Sequence, residues 1–308
     1  MSLTVVGSIA FDSVRTPFGE RERMLGGSAV HFSLAASFFT EVRVVGPVGD
    51  DFGPRQGSVL QGRGIVTEDI EHVPGGETFF WRGHYDYDMN VAHTEDTQLN
   101  VFAEFDPKLS DGSRNADMLF LGNIQPDLQR RVRAECNGTS FAALDSMNLW
   151  IDTERDALTD VMGEVDCALL NDAEVRMLTG EPNLARAARS LMGMGPGVAV
   201  AKRGEYGAAL FCQDEIFAIP GYLLEDVRDP TGAGDSFAGG FLGYLDKRSA
   251  AGDSPFDHAV LRQAMAYGSV LASFNVEAFG TERVAALTQD EIDERLRDFK
   301  RITHFEVG

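Results

Sequence analysis

Four short runs, Met118–Leu121, Phe141–Leu144, Cys167–Leu170 and Val198–Ala201, contain only apolar side chains and recur between amphipathic segments. A strand that is apolar on both faces must be covered on both faces, which is the condition of a parallel sheet sandwiched between helices. Val42–Val48 and the opening stretch Thr4–Ile9 add two more strands, while Ser28–Phe39, Leu128–Cys136, Leu184–Met192 and Phe256–Phe274 carry helical spacing. The expected fold is α/β, with a mostly parallel sheet and helices on both sides. At 308 residues and 44% hydrophobic content the chain can form one large domain over 1–308, and it shows no repeat or long linker.

Two regions break the alternation. Thr78–Phe105 and Phe11–Arg23 are aromatic, polar and strand-like without a helical period. Taken as roughly 11–26 and 69–105, they are expected to pair as a small β-lid over the C-terminal edge of the sheet, where open α/β sheets bind ligands. A lid there would exclude water from a reaction beneath it. A surface hairpin would show the same pattern, and an exposed strand could pair across a two-fold axis to make a homodimer. His84 and His93 enclose Asp86 and Asp88 in this region, but the spacing matches no rigid metal site, and a solvated segment is the simpler account.

A formal net charge of −21 disfavours nucleic acid or an anionic membrane as partner, which leaves a small molecule. Cys136, Cys167 and Cys212 lie far apart and read as reduced, buried residues. Neither a signal stretch nor a membrane-spanning apolar run is visible, so a cytoplasmic location is expected and the Asn137-Gly138-Thr139 sequon has no use.

The chemistry concentrates in Asp229-Pro230-Thr231-Gly232-Ala233-Gly234-Asp235, which opens into Ser236-Phe237-Ala238-Gly239-Gly240-Phe241. Small residues at 232, 233 and 234 let backbone N–H groups converge, and the start of the next helix adds its unpaired donors and positive dipole end. That is a cradle for a phosphoryl group. Asp235, fixed where the helix begins, could accept the proton of an attacking hydroxyl, the base-and-clamp arrangement of phosphoryl transfer. The plainer alternative is a turn in which Asp235 caps a helix whose core stripe includes Phe237 and Phe241.

The phosphate donor has no common nucleotide motif to hold it, because the chain contains no Gly-Lys pair for a P-loop and no Gly-x-Gly-x-x-Gly after the first strand. The missing dinucleotide motif also disfavours a dehydrogenase. Asn171 and Glu174 offer an amide and a carboxylate on one side of a first helical turn, a pair able to hold hydrated Mg²⁺ or simply to cap the helix. Lys202 leads into a tight turn with Gly204 and Gly207, whose cations could meet phosphate oxygens. Asp12 follows the first strand and could accept hydrogen bonds from a vicinal diol, Gly26 and Gly27 permit close approach of a ligand, and Asn123 adds a polar contact.

In their order along the chain these residues resemble the PfkB, or ribokinase, family of carbohydrate and nucleoside kinases. Val5–Ile9 with Asp12 is similar to the family's first strand and sugar-binding Asp, Gly26-Gly27 to its di-glycine, and Val45–Phe52 to its Val-Gly-x-Val-Gly-x-Asp segment. Asn171/Glu174 resemble its Asn-x-x-Glu element, Lys202-x-Gly204-x-x-Gly207 its nucleotide-side turn, and Asp229–Asp235 its second signature. The resemblance implies a ribokinase-like three-layer α/β/α sandwich, ATP and Mg²⁺, Asp235 as base, Gly232–Gly234 as anion hole, and a possible K⁺ site near Asp229 and Thr231. One departure is His31, where the helix after the di-glycine usually carries a substrate-touching Asn. A histidine can still donate to a hydroxyl.

The expected activity is ATP-dependent phosphorylation of a small carbohydrate. A nucleoside is the alternative, because Phe11, Phe79, Phe80, Trp81 and Tyr85 could supply a stacking surface for a base. A non-catalytic sugar or nucleotide sensor is the rival from another class, and it would not need a base at Asp235.

Overall fold

The structure, a computed structural model, describes residues 1–213 and 215–304, and these form a nine-stranded sheet and a four-stranded one. The strands are β1 (Ser2–Val6), β2 (Ala10–Thr16), β3 (Gly19–Gly26), β4 (Glu41–Val48), β5 (Val66–His72), β6 (Phe79–Tyr85), β7 (Ala92–Gln98), β8 (Met118–Leu121), β9 (Phe141–Leu144), β10 (Cys167–Asn171), β11 (Val198–Lys202), β12 (Ala208–Cys212) and β13 (Glu215–Ile219). The large sheet runs β13-β12-β11-β10-β9-β8-β1-β4-β5. It is parallel from β11 to β5, and β12 and β13 close one edge antiparallel.

The period of two splits each apolar strand between two cores. Leu3, Val5, Met118, Phe120, Phe141, Ala143, Cys167, Leu169, Val198 and Val200 face one side. Val6, Leu119, Leu121, Ala142, Leu144, Ala168, Leu170, Ala199 and Ala201 face the other. The first side is covered by α1 (Ser28–Ala36), α2 (Pro54–Gln61), α9 (Ala233–Ala250), α10 (His258–Asn275), α11 (Glu282–Ala286) and α12 (Gln289–Thr303). The second carries α4 (Pro126–Glu135), α5 (Asn148–Thr153), α6 (Arg155–Met162), α7 (Asp172–Thr179) and α8 (Leu184–Met192). A single turn, α3 (Asp111–Arg114), meets β1 where Thr4 Oγ1 donates to the Ser113 carbonyl. The fold is therefore the expected three-layer α/β/α sandwich. All three cysteines are buried and free, and no helix of the described residues is long and apolar enough to cross a membrane.

One contact within this frame matters for the site. Side chains at Gly239 and Gly243 would collide with α1 at Phe32 and Ala36. Their absence lets α1 lie directly on α9, which brings His31 to the N-terminus of α9.

The smaller sheet has the order β3-β2-β6-β7. β2 and β6 are parallel, with Ala10 opposite Phe79, Phe11 opposite Phe80 and Asp12 opposite Trp81. Residues 69–72, expected within this layer, belong instead to β5, which extends the large sheet by pairing with β4. β5 is an edge strand with a half-exposed polar face, so its sequence reads like that of the smaller sheet.

Facing residues of paired strands share a face and successive residues alternate. Asp12, Phe79, Trp81 and Tyr85 therefore lie on one face. Phe11 and Phe80 lie on the other, buried, with the Arg23 guanidinium over their rings at 5.0 and 5.8 Å. The five aromatic residues singled out in the sequence thus divide three to two, and only three accompany Asp12.

Candidate active site

The carboxyl ends of the parallel strands lie along one edge. Asn171 and Lys202 end β10 and β11 and are register partners, Asp145 directly follows β9, and Asn123 comes two residues after β8. Facing this edge is the N-terminus of α9, whose cap Gly232 has φ of 76° and no side-chain capping bond. That conformation favours glycine. Ala233 N–H turns back to the Pro230 carbonyl at 3.1 Å, so it is occupied, whereas Gly232 and Gly234 N–H have no backbone or side-chain partner among the described residues. Open donors at a helix start are what an anion needs. The loop is held from behind: the Asp229 carboxylate, 1% exposed, accepts Thr231 N–H at 2.9 Å and Gly280 N–H at 3.0 Å, and Arg228 N–H reaches the Val276 carbonyl at 2.7 Å.

Asp235 stands in the first turn of α9 and caps nothing. Burial, then the charge of Asp145, pushes its carboxyl up to about 7, against the pull of Lys202. Lys202 Nζ is 2.5 Å from Asp145 Oδ2 and 3.2 Å from where a Cβ at Gly234 would stand. The ammonium therefore lies beneath the anion loop. Burial opposes its charge, yet Asp145, Glu174 and Asp235 together raise its pKa. Glu174 is also pushed up to about 7, by burial and then by Asp145.

Asn171 and Glu174 form a reciprocal helix cap, with Glu174 N–H donating to Asn171 Oδ1 at 2.8 Å and Asn171 N–H to Glu174 Oε2 at 2.7 Å. Gly204 and Gly207 both have positive φ around a one-turn 3₁₀ helix, Gly204–Tyr206. A side chain at Gly207 would strike the Ile219 carbonyl, so this glycine is explained by strand packing.

On the acceptor side, Asp12 is 6% exposed, and a side chain at Gly26 would run into its carboxylate. Burial, then the charges of Asp229 and Asp235, pushes Asp12 up to about 7. Gly27, with φ of 93°, caps α1, which carries His31 one turn further on. His31 Nδ1 lies 2.9 Å from Asn275 Oδ1. Asn123 Oδ1 accepts the Trp150 indole N–H at 3.0 Å, which fixes the amide and leaves its NH₂ and one oxygen lone pair open.

The small sheet touches both sides of the site. Thr231 Oγ1 donates to Tyr85 Oη at 3.2 Å, and Asn90 Nδ2, in the β6–β7 turn, donates to Glu205 Oε1 at 3.2 Å. The histidines beyond are engaged separately, His84 with Glu95 at 2.7 Å and His93 with Asp86 at 3.1 Å, and no three metal-ligating side chains converge among the described residues.

A model of the pfkB family of carbohydrate kinases matches residues 4–287. The chain belongs to that family. Its chemistry is that of a phosphotransferase. The chain is similar to the cytidine kinase of Thermococcus kodakarensis, at 28% identity over 253 residues, covering 79% of this chain and 88% of that one. Among solved structures it is similar to a Burkholderia thailandensis nucleoside kinase in complex with inosine, with a TM-score of 0.78 at 20% identity over 96% of this chain and 97% of that one. A fructokinase from Vibrio cholerae O395 with fructose, ADP and calcium ion bound gives a TM-score of 0.79 at 17% identity over 96% and 98%.

Asp12, beside Gly26 and at the start of the smaller sheet, lies close enough to Asp235 to feel its charge, so the structure gathers Asp12, Gly26, Gly27, Asp235 and the Gly232–Gly234 turn in one place. Two neighbouring residues, Asp145 and Asn275, escaped the reading of the sequence, and one contact of Tyr85 did. Asp145 had an available signal, because a polar residue directly after an apolar parallel strand occupies the same place as Asn171 and Lys202. Tyr85 was visible as an aromatic residue, but its contact with Thr231 was not. Asn275, buried at the end of α10, had no sequence signal.

Proposed function

We propose that the chain transfers the γ-phosphoryl group of ATP to a hydroxyl of a nucleoside. The observation that carries this reading is the row Phe79, Trp81 and Tyr85 on the same face as Asp12. A ribose diol bound by Asp12 would then have aromatic rings beside it for a base, and the cytidine kinase relative supports that choice. A free sugar is the second reading, supported by the polar pair Asp12 and Asn123 and by the equal likeness in fold to a fructokinase.

In either case Asp12 and the backbone at Gly26-Gly27 orient the acceptor. Asp235, with its carboxyl near 7, takes the hydroxyl proton as the oxygen attacks phosphorus. The open N–H groups of Gly232 and Gly234, with Lys202 beneath them, face the charge that develops on the transferred group. Asp145, Glu174 and Asp235 all act on the single ammonium of Lys202, and the negative charge left over suits a divalent cation that keeps its water shell, although these three side chains do not converge closely enough to ligate it directly. Mg²⁺ held there by Asn171 and Glu174 through water would neutralise charge on the nucleotide phosphates.

The test is ADP release over a panel of nucleosides, free sugars, polyols and sugar phosphates, with Asp235→Ala alongside. Turnover of nucleosides at kcat/KM at least about tenfold above any free sugar, lost in the variant, is the expected result. Sugars alone turning over would replace it with the second reading, and nucleotide binding with no transfer to any acceptor would favour a sensor.

A further inference from the structure

Asn275 has no solvent exposure and sits between three elements. Its Nδ2 donates to the Thr231 carbonyl at 2.7 Å, and because a carbonyl only accepts, the orientation of the amide is fixed. Oδ1 therefore faces Ser236 Oγ at 3.1 Å and His31 Nδ1 at 2.9 Å, and both must donate to it. His31 is thus held with its proton on Nδ1. Its Nε2 is buried without a partner among the described residues, and the ring, 2% exposed, lies against Gly232 so closely that a Cβ there would collide with it.

These contacts surround the anion loop. Thr231 precedes Gly232 and Ser236 follows Asp235, so Asn275 grips the loop at both ends. His31 braces Asn275 and supports the positive-φ cap from below. We propose that His31 is a positioning residue that holds the Gly232–Gly234 loop in its anion-binding shape through Asn275, in place of the substrate contact its position in the sequence suggests. This deepens the phosphotransfer reading above and rests on it for the kinetic part of the test. Burial pushes the His31 pKa down, which keeps the imidazole neutral and suited to this single-donor role.

The donor geometry supplies the discriminating variants. The amide nitrogen of Asn stands one bond beyond Cγ, as Nδ1 does, whereas that of Gln reaches to the place of Nε2. With saturating ATP, His31→Ala is expected to lower kcat by about 10- to 100-fold while the acceptor KM stays within about threefold. His31→Asn should bring kcat back to within about threefold, and His31→Gln should not. A rise of tenfold or more in acceptor KM at unchanged kcat, or rescue by Gln and not Asn, would overturn the proposal. A second measurement needs no acceptor: long-range ¹H–¹⁵N NMR of the wild-type histidines at pH 7, with His31 assigned by the signal lost in His31→Asn. The Nδ1–H tautomer is expected, and an Nε2–H tautomer refutes the proposal even if no substrate has been found. If the wild type phosphorylates nothing, the function reading fails and the tautomer alone decides this inference.

Discussion

Replacing the base should make the protein more stable as it removes activity, and the size of the gain follows from the site. The Asp235 carboxyl titrates near 7 in the folded chain against 3.8 when exposed. The folded state therefore keeps a proton that the unfolded state has lost, and stability falls as pH rises from about 4 to about 7, then levels off. About three pKa units correspond to a ceiling of roughly 4 kcal/mol. Asp235 keeps some contact with solvent, which screens part of this, so about 2–3 kcal/mol is expected. Asp235→Asn, isosteric and uncharged, should recover that amount at pH 8 and almost none at pH 4. For a chain of this size the gain amounts to roughly 3–5 °C in Tm. The assay is thermal unfolding of both proteins at pH 4, 6 and 8 in a chelating buffer, beside kcat, which should fall by about 10²–10⁴-fold. A melting difference that is absent at pH 8, or equal at pH 4 and pH 8, would refute the claim that burial and Asp145 raise the Asp235 carboxyl by more than Lys202 lowers it.

The neighbours of Asp235 should move its titration in opposite directions. Lys202→Met removes the cation that lowers its pKa and should shift the acid limb of kcat/KM upward in pH, whereas Asp145→Asn removes a charge that raises it and should shift the limb downward; shifts of the same sign would contradict the arrangement. Lys202→Met should also destabilise the fold by about 3–5 kcal/mol in urea unfolding, because Asp145 is then left buried without its partner. Trp81→Ala should raise the KM for a nucleoside by about 2- to 15-fold, equivalent to about 0.5–1.5 kcal/mol, with kcat little changed, and should barely affect a free sugar. Equal effects on both acceptor classes in steady-state assays would remove Trp81 from base recognition.

Six of the nine strands of the large sheet were legible because they are apolar on both faces, the pattern of a doubly covered sheet, whereas β5, β12 and β13 at its edges were not placed in it. Met118–Leu121, Phe141–Leu144 and the others could be placed for that reason. β7 offered no such signal, since every one of its residues is exposed and its pairing depends on β6 alone. The aromatic run of β6 shows why a period can be read and its meaning missed. Alternation separates Phe79, Trp81 and Tyr85 from Phe80, but only the pairing with β2 tells which set accompanies Asp12. The turn Asp229–Asp235 could be singled out as a candidate anion loop and base because it is continuous in sequence. The supports behind them are not, since Asn275 lies 44 residues from Thr231 and His31 lies 244 residues from Asn275.

The groups that would recognise the acceptor and those that would handle phosphorus lie on separate pieces of chain. Asp12, Trp81 and Tyr85 belong to a four-stranded sheet drawn from 10–26 and 79–98, while Asp235, Lys202 and Asp145 belong to the nine-stranded body. Polar links between them include Tyr85–Thr231, Asn90–Glu205, Thr16 with the Arg228 carbonyl and the Arg23–Asp51 ion pair. Leu25 and Phe79 of the smaller sheet lean on the body, Leu25 on the first core and Phe79 on Phe102. Trp81 packs instead within the smaller sheet, over Gly83 and against Thr94, and can be exchanged without opening either core. On the proposed reading, acceptor choice is a property of exposed side chains on a rim ribbon, and it can be altered there while the groups that would handle phosphorus keep their places in the body.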